Sequence, residues 1–134
     1  MSAEPAKVSA SDRPAPITGL RVLLIEDTWI IAQSYRALLE TLGVEVRGPA
    51  ATIAAAHQHL DTEKVDAAIV DINLRGEMAD PLVTALHARA IPVIIVTGYD
   101  VAPELARLAH LVLNKPIRAE DLLTGLRALA AVRE

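Results

Sequence analysis

The 134-residue sequence contains no cysteine. This absence excludes disulfide bonds, thiolate metal ligands and a cysteine nucleophile together. Long hydrophobic runs are missing as well. Apolar stretches such as residues 93–96 are far shorter than the ~20 residues needed to cross a bilayer, and no hydrophobic signal region follows Met1. We therefore expect a cytoplasmic protein that makes no use of a membrane.

Positive charge is also scarce, with 13 Lys and Arg against 17 Asp and Glu and a formal net charge of -4. Proteins that bind the phosphate backbone of nucleic acids need clustered Lys and Arg, so direct nucleic-acid binding is not expected. Apolar residues, in contrast, make up 52% of the sequence. A chain of this length and composition can bury one compact core.

The N-terminal segment differs in composition from the rest of the chain. It carries Pro5, Pro14 and Pro16 among Ala and Ser, with no sustained period of 2 or 3.6 residues. Such a composition is typical of an unstructured segment. We predict a flexible N-terminal arm over residues 1–18 and one domain over residues 19–134.

Five short runs rich in Val and Ile have the length of buried strands. They cover residues 21–25, 44–47, 67–70, 93–96 and 111–113. Segments with helical spacing alternate with them, which predicts βα units, a parallel sheet and right-handed crossovers. We assign the chain to the α/β class, as a (βα)5 doubly wound parallel sheet with the flavodoxin-like strand order 2-1-3-4-5. The first turn reads Glu26-Asp27-Thr28-Trp29 and GxGxxG occurs nowhere, which argues against a nucleotide cofactor.

The helical segments are defined by apolar residues that recur on one face. In the first segment the positions i, i+4, i+7 and i+11 hold Ile31, Tyr35, Leu38 and Leu42. This spacing predicts a helix over residues 28–42 that ends at Gly43. The third predicted helix begins with Asp80 at the N-cap and Pro81 in the first turn.

Polar side chains follow four of the predicted strands, at the sheet edge where ligands bind in this class of fold. Glu26 and Asp27 follow the first strand, Asp71 the third, Thr97 the fourth and Lys115 the fifth. Three clustered carboxylates repel one another unless a cation screens them, and Mg²⁺ prefers oxygen ligands while retaining waters for phosphoryl oxygens. A carboxylate beside such a metal and a fixed ammonium group can act as a nucleophile toward phosphorus. The pattern therefore predicts magnesium-dependent phosphoryl chemistry.

This constellation resembles the receiver domain of bacterial two-component response regulators. The resemblance extends over residues 20–133 and rests on Glu26, Asp27, Asp71, Thr97, Lys115 and Pro116. It implies that Asp71 is the phosphoacceptor, supplied by a histidine kinase or a phosphotransfer protein. It also implies that Thr97 and Lys115 clamp the phosphoryl group and that the Lys115–Pro116 bond is cis.

The same resemblance implies a set of ligands for Mg²⁺. Asp27 would bind the metal directly, with Glu26 as the outer acid of the pair. Asp71 and the main-chain carbonyl of Asn73 would complete the protein ligands.

One position departs from the common receiver pattern. Many receivers carry Tyr or Phe three residues before the lysine, where this chain has Val112, and the sequence contains no Phe. Instead, Tyr99 follows Thr97-Gly98, which resembles the FAT GUY receivers, although the Phe and Ala of their motif are replaced. The resemblance to that group implies kinases of the HWE and HisKA2 classes as partners. We predict that Thr97, Gly98 and Tyr99 form the switch.

Two other functions fit parts of the pattern. A pseudo-receiver would bind partners without being phosphorylated, although every residue for phosphorylation is present. A magnesium phosphatase of the haloacid dehalogenase type would need an Asp-x-Asp loop after the first strand, whereas here the candidate nucleophile follows the third, in Asp71-Ile72-Asn73. We expect no enzymatic activity beyond the chain's own phosphorylation and dephosphorylation. Because the sequence ends directly after the fifth predicted helix, we expect output through protein contact, through a phosphoryl group passed onward, or through removal of phosphate from a kinase.

Overall fold

The computed structural model describes residues 17–74 and 76–133. Its strands are β1 (Arg21–Ile25), β2 (Glu45–Ala50), β3 (Ala67–Asp71), β4 (Asn73–Leu74), β5 (Glu77–Met78), β6 (Val93–Thr97) and β7 (Leu111–Asn114). Its helices are α1 (Trp29–Thr41), α2 (Ile53–Thr62), α3 (Asp80–Ala88), α4 (Pro103–Leu108) and α5 (Ala119–Arg133). The described residues include no helix long and apolar enough to cross a membrane.

Five strands form one parallel sheet in the order β2-β1-β3-β6-β7. This order confirms the predicted flavodoxin-like topology, because β6 and β7 are the fourth and fifth strands of the sheet along the chain. Two further strands, β4 and β5, pair in an antiparallel hairpin between β3 and α3. The hairpin was not predicted, since strands of two residues leave no periodic pattern in a sequence.

The central strands are buried on both faces, so their residues are apolar without alternation. Val22 and Leu24 belong to one hydrophobic cluster with the inner faces of α1 and α5. Leu23 and Ile25 belong to a second cluster with α2, α3 and α4. The sheet therefore lies between two layers of helices, as the alternation of strands and helices predicted.

The buried stripe of α1 differs from the predicted one. Ala32 and Leu39 are its fully buried residues, with Tyr35, Leu38 and Leu42 packed at the margin of the core. Ala32 is buried, although the pattern of bulky residues gave no signal at this position. The predicted N-cap of α3 was also wrong by one position, because Ala79 is the N-cap and Asp80 is the first helical residue.

Strand β2 continues three residues beyond its predicted end. Gly48-Pro49 follows the predicted end at residue 47 but lies within the strand, where the register with β1 shifts between Leu23 and Ile25. Gly48 has a φ of 91°, and a Cβ there would lie 2.8 Å from the carbonyl oxygen of Leu24. Glycine is required at this irregularity because both its conformation and its close contact exclude a side chain.

Residues 17 and 18, the end of the predicted arm, belong to the described part of the chain. Residues 1–16 of the predicted arm lie outside the described residues. Ile17 is buried in the same cluster as α1 and α5, and the N–H of Gly19 donates to the carbonyl of Gly43 at 2.7 Å. Ile17 of the predicted arm thus packs with the core, and Gly19, the first residue of the predicted domain, adjoins the end of α1.

Candidate phosphorylation site

The candidate site lies at the carboxyl edge of the sheet, where four strands end. Glu26 follows β1, Asp71 and Thr97 are the last residues of β3 and β6, and Lys115 follows β7. These strands are consecutive neighbours in the sheet, so their polar ends meet in one place. The structure thus brings together the residues that the sequence predicted for one site.

Three acidic side chains form a cluster at the centre of this edge. Carboxylate oxygens of Glu26, Asp27 and Asp71 lie within 4.8 Å of one another. Glu26 and Asp71 are buried, whereas Asp27 is partly exposed. The sequence indicated the cluster but not that Glu26, predicted as the outer acid, would be the most buried of the three.

Only one carboxylate oxygen of Glu26 accepts a hydrogen bond. Its Oε1 accepts a hydrogen bond from the N–H of Thr28 at 3.0 Å, whereas Oε2 is buried without a hydrogen-bond partner. Burial, and then the charge of Asp71, raises the pKa of Glu26 to about 7, although the Thr28 N–H and the Lys115 charge act in the opposite direction. A buried carboxylate oxygen without a donor is costly, and a bound cation would satisfy it.

Lys115 provides the fixed positive charge of the site. Its Nζ lies 3.1 Å from Asp71 Oδ2 and 3.9 Å from Glu26 Oε2. Burial lowers the pKa of Lys115, but the hydrogen bond and charge of Asp71, together with the charge of Glu26, outweigh this effect and raise it. The backbone N–H of Lys115 donates to the carbonyl of Thr97 at 2.8 Å, and the Lys115–Pro116 bond is cis, as expected.

Asp71 is positioned by the loop that follows it. Its Oδ1 accepts the N–H of Asn73 at 3.1 Å, and the Asn73 side chain accepts the N–H of Gly76 at 2.9 Å. The N–H of Ile72 donates to the carbonyl of Val96 at 3.2 Å. These contacts position the Asp71 carboxylate beside Lys115, and both residues line the same cavity.

The Thr97 loop forms the opposite wall. Thr97 is buried, and its Oγ1 accepts the backbone N–H of Tyr99 at 3.0 Å. A Cβ at Gly98 would meet nothing within 4 Å. The Tyr99 side chain is 74% exposed. The hydroxyl of the predicted switch is therefore bonded to the backbone of its own loop.

Val112 occupies the position where many receivers carry an aromatic residue. It lies on β7 opposite Ile95 and is partly buried against the cluster that includes α4. The Val112 side chain is thus part of the hydrophobic packing.

The cavity has a volume of about 460 Å³. Its lining includes residues from every element of the site: Asp27, Thr28, Asp71, Ile72, Asn73, Gly76, Thr97, Gly98, Tyr99 and Lys115. Three contributors were not predicted, namely Thr28, Ile72 and Gly76. Thr28 provides the N–H for Glu26, and Gly76 belongs to the β4–β5 turn. A backbone donor and a two-residue strand give no sequence signal of their own.

Comparison with known families matches the response regulator receiver domain model to residues 22–127. The chain belongs to the response regulator receiver domain family. The match spans most of the chain and includes every residue of the site described above. No curated protein matches the sequence significantly.

Solved structures with the same fold come from several organisms. The CheY-like receiver domain from Methanospirillum hungatei JF-1 has a TM-score of 0.77 and 26% identity over 87% of this chain and 97% of that chain. SdrG from Sphingomonas melonis Fr1 has a TM-score of 0.72 and 34% identity over 83% of this chain and 96% of that chain. The receiver of the sensor histidine kinase PA1611 from Pseudomonas aeruginosa PAO1 has a TM-score of 0.73 and 21% identity, over 84% and 98% of the two chains.

Proposed function

We propose that this receiver accepts a phosphoryl group on Asp71 in a magnesium-dependent reaction and signals through its phosphorylated state. The observation that carries the proposal is the 3.1 Å contact between Lys115 Nζ and Asp71 Oδ2, next to the Glu26 and Asp27 carboxylates. A nucleophilic carboxylate needs positive charge around it when an anionic phosphoryl group approaches. Lys115 supplies part of that charge from the protein itself.

The donor set fits Mg²⁺. Three carboxylates offer oxygens within 4.8 Å of one another, and Glu26 Oε2 has no hydrogen-bond donor. Hard cations such as Mg²⁺ prefer oxygen ligands of this kind. Asp27 and Asp71, with the main-chain carbonyl of Asn73, would hold the ion, and Glu26 would support it as the outer acid. When bound, the ion would neutralise charge on the transferring phosphoryl group. The Pseudomonas aeruginosa receiver has a magnesium ion coordinated in its active site cleft, which supports this choice.

The reaction forms one bond and breaks one. An oxygen of the Asp71 carboxylate attacks the phosphorus of a phosphohistidine, an O–P bond forms, and the N–P bond breaks with its electrons going to the imidazole. The product is an acyl phosphate on Asp71. Lys115 compensates the charge of the phosphoryl oxygens, and the Thr97 hydroxyl donates to one of them after releasing the N–H of Tyr99. Water reverses the modification by hydrolysing the acyl phosphate, and the chain catalyses no other reaction.

The donor would be a histidine kinase or a phosphotransfer protein. Trp29 and Ile30 begin α1 next to the cavity, and their side chains are 70% and 71% exposed. Such a pair offers apolar area to a partner whose histidine must reach Asp71. Kinases of the HWE and HisKA2 classes are the proposed partners on the basis of the Thr97-Gly98-Tyr99 run. The resemblance to FAT GUY receivers stays a prediction.

Phosphorylation can be tested with a small donor. Purified protein incubated with acetyl phosphate and Mg²⁺ should gain one phosphoryl group, seen by intact-mass spectrometry, and lose it in acid. Asp71→Asn should abolish the gain. Asp61→Asn is the matched control, because Asp61 is an exposed aspartate on α2 that pairs with Arg89. A pseudo-receiver would gain nothing in any variant, and that result would overturn the proposal.

A further inference from the structure

A second cavity lies beside the phosphorylation site. We call it the side pocket and define it by four apolar residues and two acidic ones: Ile72, Met78, Val101, Leu105, Asp80 and Asp100. Its volume is about 320 Å³, within the range of cavities that admit a ligand group. It is bounded by the β4–β5 hairpin, the start of α3 and the loop before α4.

Exposed apolar groups flank this pocket. Met78 is 50% exposed and Tyr99, which also lines the pocket, is 74% exposed. Single exposed apolar side chains are common and carry no meaning by themselves. Here two of the four large exposed hydrophobic side chains of the described residues border one concave surface whose floor is Ile72 and Leu105.

The charge at the rim selects one kind of occupant. Asp80 and Asp100 are exposed, and neither Lys nor Arg belongs to the described lining of the pocket. An acidic rim attracts a cationic group and repels an anionic one. The sequence as a whole carries a net charge of -4, which favours the same partner at longer range.

We infer that the side pocket is a docking site for a partner peptide segment in which a large apolar side chain is flanked by Lys or Arg. The apolar side chain would enter between Met78 and Leu105, and the cationic groups would face Asp80 and Asp100. The pocket shares Thr97 and Tyr99 with the phosphorylation cavity, so the bound segment would contact the Thr97 loop. Docking itself needs no phosphoryl group and therefore goes beyond the proposed function.

The test uses three synthetic peptides of twelve residues. The first has a central Trp with two Lys on each side in a Gly-Ser background. The second has Glu for each Lys, and the third has Ala for Trp. Each is titrated into ¹⁵N-labelled protein while backbone amide shifts are recorded. We expect the Lys-Trp peptide to bind with shifts concentrated at residues 72–80 and 97–105, and each of the other two to bind at least about tenfold more weakly.

Three variants locate the contact. Asp100→Lys should weaken binding of the Lys-Trp peptide about tenfold, because an attraction becomes a repulsion. Met78→Ser should weaken it by a smaller factor through lost apolar area. Glu40→Lys is the matched control, with the same charge change on exposed α1, and should bind as the wild type does.

Several results would overturn the inference. They are no binding at millimolar peptide, equal binding of the Glu peptide, shifts centred on α5 or β7, or an Asp100→Lys affinity equal to that of the wild type. The same samples are treated with acetyl phosphate and Mg²⁺. Phosphorylation without peptide binding would refute the docking site alone, and peptide binding without phosphorylation would refute the proposed function alone.

Discussion

Replacing Glu26 by Gln should change how the stability of the metal-free protein depends on pH. The pKa of this buried carboxyl lies at about 7 rather than at its ordinary value of 4.5, chiefly because burial disfavours the charged form. At a pH between these two pKa values, Glu26 keeps its proton in the native state but has lost it in the unfolded state. Stability therefore falls as the pH rises through this window, and Gln, which does not titrate, removes that fall.

The magnitude follows from the two pKa values. Each pH unit in the window contributes about 1.4 kcal/mol, so the loss between pH 4.5 and pH 7 is about 3 kcal/mol. That amount is a large fraction of the 5–15 kcal/mol that stabilises a typical domain. Among the described residues Glu26 Oε2 has no hydrogen-bond donor, and the Lys115 ammonium, 3.9 Å from this atom, offsets only part of the penalty.

The assay is urea unfolding followed by circular dichroism, from about pH 4.5 to pH 8 with EDTA present. The free energy of unfolding of Glu26→Gln minus that of the wild type should increase by about 3 kcal/mol over this range. Glu40→Gln, an exposed glutamate on α1, should give a constant difference. Added Mg²⁺ should restore the wild type at pH 8, because it binds the ionised carboxylates.

Parallel pH profiles for the wild type and Glu26→Gln would refute this reasoning. Such a result would mean that the Glu26 carboxyl titrates in the native state as it does in the unfolded chain. Glu26 Oε2 would then be solvated in solution and would not need a bound cation to satisfy it.

Three further predictions concern the metal, the lysine and the switch. Millimolar Mg²⁺ should change the fluorescence of Trp29 in the wild type but not in Asp27→Asn. The same fluorescence change in the variant as in the wild type would contradict the metal role of Asp27. Lys115→Met should slow phosphorylation by acetyl phosphate about a hundredfold, as loss of a charge-stabilising donor does. A wild-type rate in this variant would contradict the role of Lys115 in binding the phosphoryl group. Beryllofluoride with Mg²⁺ should shift amide resonances over residues 97–109, whereas shifts confined to the neighbours of Asp71 would favour a phosphate-sink role.

The sequence predicted the location of the site because topology determines it. Once the order 2-1-3-4-5 is assigned, Glu26, Asp71, Thr97 and Lys115 must end neighbouring strands. Their proximity therefore needs no knowledge of side-chain conformation. The same alternation of apolar runs predicted two helical layers around a buried sheet.

The details that were missed depend on contacts rather than on pattern. The second strand was predicted to end at residue 47, but β2 continues through Gly48-Pro49, where its pairing with β1 is irregular and its close contacts require glycine. Ala32 is buried in α1, but a small residue gives a weak hydrophobic signal in the sequence. The bond between the N–H of Tyr99 and Thr97 Oγ1 involves backbone geometry that composition and spacing do not specify.

The most direct test of the central claim is to identify the phosphorylated side chain. The protein is phosphorylated with acetyl phosphate and Mg²⁺, then reduced with borohydride, which converts an aspartyl phosphate to homoserine. Digestion and tandem mass spectrometry then locate the converted residue. We predict homoserine at position 71 and nowhere else, with none in protein incubated without the donor. Homoserine at Asp27 or another acidic residue, or phosphate retained on a histidine, would contradict the assignment of Asp71 as the phosphoacceptor.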